Sequence, residues 1–278
     1  MIQWYPGHMA KTKRLIEENL KLVDIVYEIL DARIPYSSKN PIIDELILSK
    51  KRLVLLNKAD LSDKNVNNSW ISYYKKNGIE CISINSLKGD GLKSINDKTY
   101  KICEDIIKKK RSKGITPRLR VMILGIPNVG KSTLINKLSG AGNAKTGNIP
   151  GVTKSKQWIK TQYFDLLDTP GILWPKFEDE NVALMLAITG AIKDELLNIE
   201  EISIKLLSIL KIYYPQYLLK RYNIINIDLP EYELLKNIGE KRGCLVAGGE
   251  IDVLRAAKTL IDDFRSGKLG NISLERPE

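Results

Sequence analysis

Gly125-Ile126-Pro127-Asn128-Val129-Gly130-Lys131-Ser132 sets two glycines, a lysine and a serine at the spacing of a loop that cradles phosphate. Its flanks agree. Leu119-Arg120-Val121-Met122-Ile123-Leu124 is an apolar, strand-like run, and Ser132 to Leu138 continues with helical character, which gives the strand, loop and helix that such a loop requires. The glycines let the backbone curl so that successive N–H groups face an anion at the helix N-terminus. Asn128, Val129, Gly130, Lys131, Ser132 and Thr133 are therefore the candidate phosphate-binding residues. The Lys131 ammonium can reach the outer phosphates, and the Ser132 hydroxyl can ligate Mg2+.

A second apolar run, Arg52 to Leu56, delivers Asn57-Lys58-Ala59-Asp60 at its carboxyl end, where ligands bind in open α/β sheets. The Asp60 carboxylate can accept two hydrogen bonds, from N1–H and the exocyclic amine of guanine. Adenine lacks that donor pair, so the spacing predicts GTP over ATP, with Asn57, Lys58 and Asp60 in the base site. Farther on, the strand-like Ile79 to Ile84 leads into Asn85-Ser86-Leu87-Lys88-Gly89-Asp90-Gly91-Leu92, which resembles the loop that closes over guanine, and adds Asn85 and Ser86. After the phosphate loop, Pro150-Gly151-Val152-Thr153 resembles a first switch, with Thr153 a second Mg2+ ligand. Tyr163 to Leu167 then presents Asp168-Thr169-Pro170-Gly171, in which Asp168 would hold Mg2+ through water and the Gly171 N–H would sense the γ-phosphate. The base-reading motif thus precedes the phosphate loop, the reverse of the usual order.

With these motifs in this order, the chain resembles a circularly permuted GTPase, and within that class the ribosome biogenesis GTPase A (RbgA/YlqF) family. The resemblance also rests on Trp4-Tyr5-Pro6-Gly7-His8-Met9-Ala10-Lys11, Asp31-Ala32-Arg33-Ile34-Pro35, Ile172-Leu173-Trp174-Pro175 and Gly239-Glu240-Lys241-Arg242-Gly243-Cys244, so it spans nearly the whole chain. It implies an enzyme that binds the immature large ribosomal subunit and its rRNA, assists a late assembly step, and hydrolyses GTP faster on the particle.

Composition bounds the answer independently. A chain of 278 residues suggests about two domains, and 43% hydrophobic with 28% charged residues describes a soluble globular protein. The net charge of +11 favours a polyanionic partner, since each neutralised phosphate releases counterions, although a lysine-rich solvated surface gives the same number. The excess is concentrated. Lys108 to Arg120 holds seven basic residues and no acidic one, and Gly114 and Pro117 make it the end of a helix running into a connector between the two halves of the nucleotide site. It reads as an RNA contact or as a solvated linker.

Cys81, Cys103 and Cys244 are scattered and there is one histidine, so neither a disulfide framework nor a zinc site is expected. No apolar run approaches the ~18 residues needed to span a bilayer, and the N-terminus lacks a signal core, so a cytoplasmic protein without a membrane partner is expected. DNA is not an expected partner, and the protein is expected to be monomeric off the ribosome.

After Trp174 the strand pattern stops. Val182, Met185, Leu186, Thr189 and Ile192 recur at helical spacing, as do Ile202, Leu206, Ile209 and Tyr213, and then Val253, Ala257, Leu260 and Phe264. The expected fold is α/β. Residues 1–174 would form a circularly permuted P-loop GTPase domain with a mostly parallel six-stranded sheet, opening with an N-terminal helix that turns Ile16, Leu20 and Val23 inward. Residues 175–278 would form an all-helical domain that contacts RNA.

The water-positioning group is the least determined element. Ile172 stands where many GTPases place a glutamine and cannot hydrogen bond. The resemblance implies His8 as the catalytic residue, and the other reading is that His8 caps or packs the first helix. Asn128 resembles the phosphate-loop asparagine of potassium-dependent GTPases, where a bound K+ offsets transition-state charge; the other reading is a local turn hydrogen bond. Slow intrinsic turnover is expected in either case. Two further readings stay open: a regulatory GTPase acting on tRNA or small-subunit RNA, and an RNA-binding module whose nucleotide site is only structural.

Overall fold

The computed structural model describes residues 7–47, 50–140, 158–167 and 179–278, with side chains from residue 13 onward. Two compact units emerge, one formed by Met1–Glu178 with Glu275–Glu278 and the other by Asp179–Leu274.

In the first unit the described elements run α1 (Gly7–Leu20), β1 (Ile25–Asp31), α2 (Pro41–Ile47), β2 (Lys51–Asn57), α3 (Lys64–Lys76), β3 (Glu80–Ser83), α4 (Leu92–Ile102), α5 (Glu104–Ser112), β4 (Leu119–Leu124), α6 (Lys131–Ser139), β5 (Trp158–Lys160) and β6 (Phe164–Leu167). The strands form one six-stranded sheet in the order β3-β2-β1-β4-β6-β5, parallel except for β5. The α/β expectation and the mostly parallel sheet hold. β1 is buried along its whole length because helices cover both faces, which is why it reads as a continuous apolar run. Side chains alternate across it. Val26 meets Ile16 and Leu20 of α1 and Ile43 and Ile47 of α2, and Leu30 meets Trp70 and Tyr74 of α3. Tyr27 points the other way, its hydroxyl 2.6 Å from Oγ1 of Thr99 on α4. The polar exception, Glu28, is fully buried and ion-paired with Arg52 of β2, which also reaches Asp44 at 2.7 Å; burial raises the Glu28 carboxyl against the pull of Arg52.

The strand order has a consequence for binding. From β1 the chain builds outward through β2 and β3, then returns to place β4 on the other flank of β1, so β1 and β4 bound the topological switch point of the sheet. Ligands of open α/β sheets bind at the carboxyl ends of strands at such a point. The return passes through the basic connector, four of whose seven basic residues have partners within the fold. Lys110 reaches Asp24 at 2.8 Å, Arg118 reaches Asp165 at 2.6 Å, Lys108 pairs with Glu104 at 2.6 Å, and the Arg120 guanidinium lies 5.3 Å from the centre of the Trp158 ring. Lys109, Arg111 and Lys113 stay exposed.

The second unit is helical: α7 (Glu180–Ile188), α8 (Ile199–Tyr213), α9 (Pro215–Tyr222), α10 (Glu231–Lys241) and α11 (Val253–Arg265). Asp179, Asn198 and Asp252 cap α7, α8 and α11 through their side chains. On α8 the inward face carries Ile202, Leu206, Leu207 and Leu210, and Tyr213, expected inside, is exposed because the buried stripe drifts round the helix by its last turn. Asp263, buried on α11, accepts from Arg221 at 2.8 and 2.9 Å, from the Tyr222 hydroxyl at 3.1 Å and from Arg242 at 3.2 Å. The Gly239 to Cys244 stretch therefore has a packing role: Arg242 serves Asp263, and a Cβ at Gly239 would lie 2.7 Å from Ile251.

Candidate functional site

The carboxyl ends of β1, β2, β3 and β4 bring the base-reading and phosphate-binding stretches together. β2 ends on Asn57, whose side chain is buried; its Nδ2 donates to the carbonyl of Val129 at 2.7 Å and its Oδ1 accepts from the Ser86 N–H at 2.9 Å. The Asn57 carbonyl in turn accepts the Ala32 N–H at 2.8 Å. One residue thus joins the phosphate loop, the loop after β3 and the turn after β1.

The phosphate loop leads into α6 through Gly130, whose φ of 104° is left-handed and whose added Cβ would lie 2.2 Å from Nδ2 of Asn57. Only glycine meets both demands. Gly130, the residue before α6, has no side chain with which to cap the helix. Asn128 is also left-handed, with φ 57°, and Val129 is buried beneath the loop. Lys131 is buried and curls over the loop, donating to the carbonyls of Gly125 at 3.0 Å and Ile126 at 2.7 Å. Ser132 is exposed at the first turn of α6 and Thr133 is half-buried.

On the base side, Asp60 sits in a single 3-10 turn, Ala59–Leu61, held by Ala59 N–H donating to the Ile84 carbonyl at 3.1 Å; its carboxylate is partly exposed, with the Lys88 ammonium at 3.8 Å. Asn85 shapes the neighbouring loop, its Oδ1 accepting the N–H groups of Leu87 and Lys88, both at 3.0 Å. Lys58 adopts φ 61°, and its ammonium donates to Asp31 at 2.9 Å.

Asp31 is the residue that reading of the sequence left out of the site. It lies directly across from Asn57 in the β1–β2 register, accepts Arg33 Nε at 2.9 Å and Nη2 at 2.7 Å, and its N–H donates to Ser38 Oγ at 3.0 Å. Burial alone would raise its carboxyl, but Arg33 and Lys58 outweigh that and hold it well below the usual carboxylate range. The signal was present in Asp31-Ala32-Arg33 at the end of a mostly apolar run, but the link to Lys58 exists only in the register. Thr153, Asp168 and Gly171 lie outside the described residues, as does the side chain of His8, whose backbone belongs to the first turn of α1. Among the described residues there is no cluster of histidine, cysteine or acidic groups that could hold a metal, and the three cysteines are free and buried.

The chain is similar to known proteins over its whole length. Residues 120–230 match a family model described as 50S ribosome-binding GTPase. Ribosome biogenesis GTPase A of Bacillus licheniformis is 49% identical, covering 100% of this chain and 99% of that protein. That of Bacillus cereus is 50% identical, covering 100% and 95%. A GDP-bound YlqF structure superposes with a TM-score of 0.69 at 28% identity, over 95% of this chain and 99% of the other. Half-identity along the full length, together with the permuted order of the motifs in one sheet, makes this chain a member of the ribosome biogenesis GTPase A family, a circularly permuted GTPase that hydrolyses GTP to GDP and phosphate in ribosome biogenesis.

Proposed function

We propose that the enzyme works on the immature large ribosomal subunit, binding its rRNA and hydrolysing GTP in a late maturation step that the particle stimulates. The observation that carries the nucleotide site in this reading is the Asn57–Val129 hydrogen bond, which makes one site of the base-reading turn and the phosphate loop. The partner rests on the kinship with a family described as 50S ribosome-binding GTPases and on the net charge of +11, suited to a polyanion. In this reading the helical unit contacts RNA, the protein is cytoplasmic, and it is monomeric off the ribosome. Among the described residues no helix is long and apolar enough to cross a membrane.

At the site, Asp60 reads the guanine edge while Asn85 and Ser86 close the loop over the base. The amides of Asn128 to Thr133 grip the phosphates, and the Lys131 ammonium balances charge on the outer ones. The exposed Ser132 hydroxyl is a hard oxygen donor of the kind Mg2+ takes, and Thr153 and Asp168 would complete the protein's share of that coordination; the ion would supply neutralisation of phosphate charge. Water attacks the γ-phosphorus in line as the bond to the bridging oxygen breaks and GDP leaves. Ile172 cannot orient that water; His8 or a group on the particle does so, a K+ held by Asn128 would offset charge in the transition state, and Gly171 reports the γ-phosphate.

The test is hydrolysis of GTP and ATP, in K+ and in Na+, with and without large and small subunits. Free enzyme should turn GTP over on the order of 10⁻³ per second or slower and leave ATP untouched. Immature large subunits should raise the rate at least tenfold and small subunits should not. Equal stimulation by both particles, or by neither, contradicts the reading.

A further inference from the structure

The chain's last residues are part of the GTPase unit, and one of them is built into it. The Glu275 carboxylate accepts the Tyr36 N–H at 2.7 Å and the Ser37 N–H at 3.1 Å, and it also accepts the Ser37 hydroxyl. The Glu275 carbonyl accepts Trp70 Nε1 of α3 at 3.3 Å, so the tail is held from two elements. Three donors converge on one carboxylate from 238 and 239 positions away. The turn it grips has a job. Ser38, the next residue, accepts the Asp31 N–H at 3.0 Å, and Asp31 holds the Lys58 ammonium at 2.9 Å, two positions before Asp60.

We propose that Glu275 is a positioning residue for guanine nucleotide binding: its carboxylate fixes the Tyr36–Ser38 turn, Ser38 fixes Asp31, and Asp31 fixes Lys58 beside the base-reading Asp60. The inference rests on the guanine-reading role given to Asp60. Its physical content is a run of hydrogen bonds, each between buried or part-buried groups, from the tail to the base site. Glu275 is half-buried, and partial enclosure raises its carboxyl against the pull of its three donors. If the tail favours the nucleotide-competent turn, linkage requires that nucleotide favour the docked tail to the same degree.

Two measurements decide it. In the wild-type protein, hydrogen exchange of the C-terminal peptide should slow when GDP is added and should not respond to ADP. Glu275→Ala should raise the Kd for a fluorescent GDP analogue and the KM for GTP about 5- to 150-fold, the usual span of coupling between sites, with kcat little changed. Glu275→Gln, which keeps an acceptor oxygen, should fall between the two and covers the case that the alanine variant does not fold. Asp60→Asn is run beside them. If Asp60→Asn loses GDP while both Glu275 variants bind it within twofold of wild type and nucleotide leaves tail exchange unchanged, the tail is only a structural clasp and the inference is overturned. If wild type binds GDP and ADP alike, the base reading itself has failed.

Discussion

The amide of Asn57 and the carbonyl of Val129 are 2.7 Å apart, although 72 positions separate them. In a permuted chain this contact does what sequence proximity cannot, because the base-reading turn comes first and the phosphate loop must be registered against it afterwards. Gly130 lies within the same contact, since any Cβ there would meet Nδ2 of Asn57 at 2.2 Å.

Asn57→Ala should therefore weaken GDP binding about 10- to 100-fold, from the loss of two buried hydrogen bonds worth about 1–3 kcal/mol together. Gly130→Ala should cost at least as much, through the clash and the left-handed φ of 104°. The double variant should cost less than the sum, since removing the amide removes the obstacle. A double-mutant cycle by calorimetry and thermal melting checks this, and simple additivity would separate the two residues.

Asp31 gives a dependence on pH whose sign follows from its depressed carboxyl. A lowered folded pKa means stability that is present above the ordinary aspartate value, near pH ~4, and lost as pH falls below it. Asp31→Asn leaves Arg33 and Lys58 without their shared anion and should destabilise by about 3 kcal/mol or more at neutral pH. The gap between wild type and variant should narrow as pH falls below about 4. Urea midpoints across that range measure it, and a gap that widens on acidification would contradict the assignment.

In the helical unit, Asp263→Asn should lower Tm by leaving Arg221 and Arg242 with a neutral partner, at a cost of about 1–3 kcal/mol given their part exposure. GTP turnover by the free enzyme should not change. A variant with wild-type Tm would show that the cluster is not what holds α9, α10 and α11 together.

Much of this was legible beforehand, and the exceptions have physical reasons. The phosphate loop and Asn57 to Asp60 could be read because backbone curvature and base edges restrict residue type at fixed spacing. β1, β2, β4 and β6 could be read because buried parallel strands are mostly apolar runs, and the half-buried edge strand β3 from the apolar Ile79, Cys81, Ile82 and Ile84 around it. β5 was missed: Trp158–Lys160 spans three residues, too few to show a period, and its place comes from pairing with β6. The connector from Lys108 to Arg120 read as an RNA contact or a solvated linker, yet its partners Asp24 and Asp165 sit on strands or turns far along the chain. Asp31 was visible as a motif but not as a support for Lys58, since only the β1–β2 register aligns it with Asn57. Nothing in Glu275-Arg276-Pro277-Glu278 signals a contact with Ser37.

The central claim is that one carboxylate on the early half of the chain selects the base whose phosphates the later half holds. Calorimetric titration of wild type and Asp60→Asn with GTP, ATP and XTP tests it directly. Wild type should prefer GTP over both others by at least about 100-fold. The variant, whose amide can donate to the carbonyl that xanthine carries in place of the guanine amine, should lose GTP and gain XTP. Equal affinity of the wild type for GTP and ATP, or an unchanged preference for GTP in the variant, would contradict the account.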